Sequence, residues 1–371
     1  MPKRNQKSGF LFNTNENWET VLQTLPNPKP SKSDRDGFGK LASLYTSFSV
    51  EFCQHLLTYI SDIGCKNVCD PFAGMGSLGE AARQLELNVY LNDRNPFAPI
   101  ANAIRVSKKS QIEAGLALVE ESLEANCLNG DEYRNVALSI LNTNGIRPSE
   151  ILSRTTLNKE RHVLVAIFIL CAARINFYKK RRGTNPTWTK KLMVSEAESS
   201  RFKESLQITL KQVREYSKSI DSLDKRFKAH LSFQDALRIK CPTKLDAIVT
   251  SPPYPNRTDY YKSYLAASEL ILSLLGMDER LIRQEQVGTP LIRPNTNRVS
   301  LTLQIDKLIS TIHDHESYAS KSYYWKGYQY YFSDMSEFFQ NSYAQLTDGG
   351  YLVFVVQDAI YRISIFQWLS C

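Results

Sequence analysis

The sequence predicts an α/β fold, a parallel sheet with helices between its strands and a long helical insertion. Three observations lead there. Short apolar segments alternate with helix-patterned ones in the strand–turn–helix order that builds parallel sheets. A glycine-rich turn, DPFAGMGS at Asp70–Ser77, follows the first of these strands. Residues 110–228 then carry apolar side chains at three- and four-residue spacing before the strand pattern resumes.

Residues 1–40 are polar and rich in Pro, Lys, Asn and Ser, and read as a flexible leader. From Leu41 the pattern turns apolar, and Ser49–Ile60 fits an amphipathic helix capped near Ser47 or Ser49. Lys66–Cys69 is a buried strand, followed by the glycine turn and a helix from about Ser77 to Leu85. Asn88–Leu91 is a second strand that ends at Asn92-Asp93. Pro96 suits the first turn of a further helix through Ala98–Val106.

Ala114–Leu128, Glu160–Phe177 and Ala197–Ser217 are the helices of the insertion. Beyond it, His230–Phe233 and Asp246–Thr250 are strands, the second running into Ser251-Pro252-Pro253-Tyr254. Tyr261–Leu275 and Ser333–Leu346 read as helices separated by a polar, Tyr-rich stretch. Asp348-Gly349-Gly350 is a turn, and Tyr351–Val356 a fifth strand. The organisation expected is a leader (1–40), one half of the α/β domain (41–109), an inserted basic helical subdomain (110–228) and the second half (229–371).

Hydrophobic residues make up 42% and aromatics 11%, enough for a packed core and too much for a disordered chain. The net charge of +8 favours a polyanionic partner without deciding one. Seven scattered cysteines form no CxxC pair and the five histidines no ligand cluster with them, so no metal site is expected. That thiol pattern suits a reducing cytoplasm. The N-terminus lacks an apolar signal core, and the longest apolar run, Val163–Ala173, falls short of the roughly 20 residues of a membrane span.

The motifs narrow the chemistry. A strand ending in Asp70, then Phe72, Gly74 and Gly76, then a helix, is how α/β folds hold a nucleoside-type ligand at the carboxyl ends of parallel strands. The spacing Gly74-x-Gly76-x-x-Gly79 also satisfies a dinucleotide fingerprint, against which the leading Asp-Pro-Phe argues. Asp93, at the end of the second strand, can accept from two ribose hydroxyls or cap the next helix. Asn95-Pro96-Phe97 offers a wall for an adenine. In TSPPY, two prolines end a buried strand and free carbonyls to act as acceptors. Ser251 and the Pro252 carbonyl can accept the two hydrogens of an exocyclic amine, with Tyr254 stacking on the base. The plain alternative is a strand-ending turn with a core tyrosine.

With both motifs in hand, the chain resembles the DNA methyltransferases that modify an exocyclic amine, cytosine-N4 or adenine-N6, in restriction–modification systems. The resemblance covers residues 40–106 and 230–358. It implies a Rossmann-like S-adenosylmethionine-dependent methyltransferase sheet, S-adenosyl-L-methionine as cofactor, DNA as partner and a cognate restriction endonuclease acting on the same site. By this similarity Asp70, Phe72, Gly74, Gly76, Asp93, Asn95 and Asp235 bind the cofactor, with Tyr45 and Phe48 as weaker candidates, and Ser251, Pro252, Pro253 and Tyr254 are catalytic. Serine at the head of PPY tilts the target toward cytosine-N4, and SPPYPNRTDYY resembles a recurring extension of such methylases. No cysteine nucleophile is implied.

The stretch RINFYKKRRGTNPTWTKK holds Arg174, Lys179, Lys180, Arg181, Arg182, Lys190 and Lys191 with no acid among them, and is the first candidate for DNA phosphates. Tyr178 or Trp188 is available there for stacking. The Tyr-rich segment Tyr318–Tyr331 competes for target recognition. These enzymes normally continue past the fifth strand with a helix and a hairpin, for which Gln357–Cys371 is short, so the sheet is expected to lack its last strands. Besides a cytosine-N4 enzyme, an adenine-N6 enzyme, an RNA base amino-methyltransferase and an inactive DNA-binding remnant remain open.

Overall fold

The computed structural model describes residues 21, 23–32, 34, 37–42, 49–125, 132–182, 199–220, 227–255, 259–293, 301–356, 359–361 and 364–366. Part of the expected leader is docked. Asp34 accepts the Val50 N–H at 2.9 Å and the Pro28 carbonyl accepts the Ser49 N–H. Together with the Ser49 side chain these acceptors cap α1 (Val50–Asp62), whose Phe52, Cys53, Leu56, Leu57 and Ile60 are buried.

The first unit is β1 (Asn67–Asp70), α2 (Ser77–Gln84), β2 (Asn88–Asn92) and α3 (Phe97–Arg105), each within a few residues of its expected bounds. Five helices follow: α4 (Lys109–Ala125), α5 (Glu132–Thr143), α6 (Arg154–Lys159), α7 (Arg161–Arg182) and α8 (Ser199–Lys218). The chain returns through β3 (Ala229–Ser232), β4 (Leu245–Thr250), α9 (Leu265–Leu275), α10 (Glu279–Glu285), α11 (Leu303–Asp314) and α12 (Trp325–Gln345), and ends the sheet with β5 (Leu346–Phe354). Helices α10 and α11 lie inside the polar, Tyr-rich stretch, where no helix is read from the sequence, and α12 starts eight residues before Ser333. Asp278 and Thr302 cap α10 and α11 with their side chains.

All five strands are parallel, in the order β3-β2-β1-β4-β5. The order reverses between β1 and β4, where Val68 pairs with Ala247 and Cys69 with Ile248. At such a reversal the connections leave in opposite directions and open a crevice at the carboxyl ends of the strands. The expected Asp348–Gly350 turn is a bulge. Pairing with β4 jumps from Leu346 to Tyr351, and Gly349 has φ +76°. After Val356, the described residues hold a separate antiparallel pair, β6 (Ala359–Tyr361) with β7 (Ser364–Phe366), which does not lengthen the main sheet.

The inserted helices do not build a core of their own. Every residue from Val163 to Ala173 is fully buried, and α7 packs against α3, α4, α8 and α9 at once. A helix apolar on all faces must be enclosed on all faces. One continuous cluster therefore runs from Phe38 and Leu56 through Val68 and Ile104 to Phe168, Leu210 and Leu270. The 18-residue stretch Arg161–Tyr178 is long and apolar enough to cross a membrane by composition, but it is the central core helix of this fold.

Candidate functional site

The two sequence motifs meet at the strand-order reversal. Asp70 ends β1 and Thr250 ends β4, and the Thr250 hydroxyl donates to Asp70 Oδ1 at 2.6 Å. The same carboxylate oxygen accepts the Phe72 N–H at 3.1 Å, which starts the glycine turn. Asp70 is almost wholly buried, and desolvation lifts its pKa from 3.8 to about 7 against these two hydrogen bonds.

The glycine loop is held from both sides. From above, Asp93 Oδ2 accepts the Gly74 N–H at 2.8 Å while its Oδ1 accepts the Asn95 N–H at 2.7 Å. Burial raises the pKa of Asp93 to about 6 in spite of these donors. The two roles read for Asp93 in the sequence are thus partly combined. It caps the segment that enters α3, and the partly buried carboxylate retains lone pairs beyond its two backbone bonds. From below, Arg105 donates to the Met75 carbonyl at 2.9 Å and to Ser77 Oγ at 3.1 Å, and pairs with Glu80 at 2.9 Å. Gly76, at φ +77°, lies so close to Asn102 that a Cβ would fall 1.8 Å from its Oδ1. A Cβ on Gly74 would instead point into open space, leaving that face of the turn clear for a ligand.

Asn92 ties three strand ends together. Its Nδ2 donates to the carbonyls of Pro71 and Gln234, and its Oδ1 accepts from Ser232 Oγ and the Gln234 N–H. The next residue, Asp235, accepts the Leu237 N–H at 3.0 Å and begins a short turn, Ala236–Arg238. Phe72 packs beside that turn in a cluster with Leu237, Val287, Tyr331, Met335 and Phe338. Asp70, Phe72, Gly74, Gly76, Asp93 and Asp235 therefore converge on one end of the sheet.

Ser251–Tyr254 lies at that same end. Ser251 Oγ donates to the Val355 carbonyl at 3.0 Å and sits 3.0 Å from Tyr254 Oη. Tyr254 Oη also reaches the Val355 carbonyl, at 3.3 Å. A serine hydroxyl with its proton on Val355 keeps its lone pairs as acceptors. The SPPYPNRTDYY extension contributes to the same turn. Tyr260 Oη accepts the Tyr254 N–H at 3.2 Å, and Asp259 pairs with Arg283 at 2.5 Å. Tyr254 is half-buried, and desolvation raises its pKa above the usual phenol value.

Several expected residues lie elsewhere. The Asn95 side chain turns inward, capping Phe97 and accepting from Ser268, and is buried. Phe97 is fully buried and stacks on Phe168, so the expected adenine wall is core. Arg174 pairs with Glu269 at 3.0 Å, with its guanidinium 5.6 Å from the Tyr178 ring, and Tyr178 itself is buried. Arg174 is an internal brace of α7 against α9, which corrects its reading as a phosphate contact. Lys179, Lys180, Arg181 and Arg182 continue α7, but their side chains fall outside the described residues. Tyr45, Phe48, Trp188, Lys190 and Lys191 also lie outside them.

No known protein family, curated protein or solved structure matches the chain. The site thus rests on its own geometry, which includes residues the motifs did not flag. Asn92, Asn102 and Arg105 support the glycine loop. Arg293 pairs with Asp334 through two 2.7 Å bonds in the field of Asp235. One signal was legible: Asn102 and Arg105 are polar residues three apart in a helix, FAPIANAIR, whose nine residues are all buried. Among the described residues no group of three or more His, Cys, Asp or Glu could hold a metal ion.

Proposed function

We propose that the chain is an S-adenosylmethionine-dependent methyltransferase acting on the exocyclic amine of a DNA base, with cytosine-N4 as target. The observation that carries this reading is the Asp70–Thr250 hydrogen bond at the strand-order reversal. It joins the glycine-turn motif to the SPPY motif, and a ligand crevice is expected at that point in an open parallel sheet.

The residues fit the cofactor. Gly74 presents an open face, Asp93 a partly buried carboxylate, and Phe72 with the Asp235 turn a third wall. Bound there, S-adenosylmethionine would supply an electrophilic methyl group. The rest of the chemistry belongs to Ser251–Tyr254. Ser251 Oγ and the Pro252 carbonyl accept the amine hydrogens and so orient the nitrogen lone pair, a positioning contribution. Tyr254, held by Val355, Ser251 and Tyr260, stacks on a base rotated out of its helix. The net charge of +8 supports a polyanionic substrate, and the long apolar helix α7 is enclosed in the core, in keeping with a cytoplasmic enzyme.

Methyl transfer from labelled S-adenosylmethionine to DNA, with mass spectrometry of the released nucleosides, tests the reading. N4-methylcytosine is the expected product; N6-methyladenine would move the target base. Label reaching neither DNA base would refute the reading. Asp93→Ala is expected to weaken cofactor binding, and Tyr254→Ala to abolish most transfer while sparing it.

A further inference from the structure

Beside the Ser251–Tyr254 turn is a shallow, open cleft lined by Pro255, Pro290, Leu291, Tyr323, Tyr324 and Tyr330, among others. It is continuous with the catalytic turn. Pro255 belongs to both, and Gly288 at its floor lies so close that a Cβ would sit 3.2 Å from the Tyr254 carbonyl and 3.3 Å from Pro253 Cβ. Two of its tyrosine hydroxyls are committed to backbone carbonyls, Tyr323 to Pro290 and Tyr330 to Arg293. What those two side chains offer a ligand is therefore the ring.

The backbone under these rings is unusual. Ser320–Tyr324 forms a π-helical turn, entered through Ala319 at φ +68°. A non-glycine residue in the left-handed region costs about 1–2 kcal/mol, and π turns concentrate at functional sites. The turn sets Tyr323 and Tyr324 edge to face, centroids 5.5 Å apart, on the cleft wall. Charge adds direction. Segment 317–330, which carries the tyrosines, contains Lys321 and Lys326 and no acidic residue, while Arg293 beside it is neutralised by Asp334.

We propose that this cleft is a stacking subsite for the nucleobase next to the one being methylated. The inference rests on the methyltransferase reading above and adds to it a path for the strand, out of the Ser251–Tyr254 turn, over Pro255 and onto the tyrosines. Rings stack on any base, and cations follow the backbone, so the subsite holds an unpaired strand with little sequence preference. A flanking base enters the subsite only when unpaired, so a single strand, which pays no unpairing cost, binds more tightly than a duplex that must first open.

The test is fluorescence anisotropy of a labelled single-stranded 12-mer and its duplex, with S-adenosylmethionine calorimetry on the same proteins. Tyr324→Leu keeps apolar volume and loses the ring; it is expected to weaken single-strand binding by roughly tenfold, the worth of about one stacked base, and to leave cofactor affinity unchanged. Tyr324→Phe is expected to bind as the unaltered protein does. Lys321→Gln should lower the slope of log affinity against log salt by roughly 0.7. Duplex binding as tight as single strand, a Leu variant equal to the unaltered protein, or a proline-rich decapeptide displacing the oligonucleotide would overturn the proposal. Absence of cofactor heat in the unaltered protein counts instead against the methyltransferase reading, and the anisotropy series still decides the cleft.

Discussion

Gly76→Ala is the sharpest probe of the glycine loop, because two separate costs can be read from its surroundings. The residue sits at φ +77°, where an alanine loses about 1–2 kcal/mol to backbone sterics. Its Cβ would also fall 1.8 Å from Asn102 Oδ1 and 3.0 Å from Asn102 Cγ. Asn102 has nowhere to retreat, since it is fully buried on a helix with no exposed residue. Relieving an overlap in a packed interior costs about 1–3 kcal/mol, so the substitution should destabilise by about 2–5 kcal/mol in total. Asn102→Ala removes the overlapping atoms and leaves the backbone cost alone. Urea denaturation of the four proteins of this cycle separates the two costs. In the Asn102→Ala background, Gly76→Ala is expected to cost only about 1–2 kcal/mol. Equal costs in both backgrounds would refute the close approach, and a cost under about 1 kcal/mol in the native background would refute the left-handed strain as well.

Four further outcomes follow from the same geometry. Asp70→Asn should flatten the pH dependence of stability. The folded pKa is raised from 3.8 to about 7, so the native state binds more protons and the unaltered protein loses stability as pH rises through that window; a variant with the same slope in urea titrations from pH 4 to 7 would contradict this. Arg105→Met should lower stability by roughly 2–4 kcal/mol, leaving the Met75 carbonyl and Glu80 without their donor, and weaken cofactor binding measured by calorimetry. Arg293→Met should cost about 3–5 kcal/mol by leaving Asp334 buried and unpaired, with much of the loss restored in the Arg293→Met/Asp334→Asn double variant, as denaturant midpoints would report. Ala319→Gly should stabilise by about 1 kcal/mol in the same assay, since glycine adopts positive φ without steric cost.

The strands were legible because each holds a short apolar run beside a polar or glycine turn; the first four fall within a residue or two of expectation, while β5 starts at Leu346, five residues early, and takes in the expected turn as a bulge. Their order was not. Nothing in the chain shows that β4 inserts beside β1, since that choice depends on contacts between residues some 180 positions apart, such as Thr250 with Asp70. Helices α10 and α11 escaped because their apolar stripes are thin, although Asp278 and Thr302 were caps in plain view. Arg174 misled for a physical reason. Arg174 stands on a helix that is apolar all round, and its partner Glu269 comes from an element 95 residues later. Charge density along a sequence says nothing about such a partner. Asn95 failed in the same way, because Ser268 draws its side chain into the interior.

Val355 has a consequence for how the Ser251–Tyr254 turn is held. Its N–H donates to Thr250, and its carbonyl accepts from Ser251 and Tyr254, so one residue just past the end of β5 grips the turn on both sides. Among the described residues β5 is the border of the main sheet, paired with β4 alone. Border strands are where sheets are recruited, bent or extended. A segment laid along the other flank of β5 would reach Ser251 and Tyr254 through one peptide unit, stiffening or skewing them without entering the crevice. The position of a serine hydroxyl is in this sense set from outside the site, and the rim of the sheet is its handle.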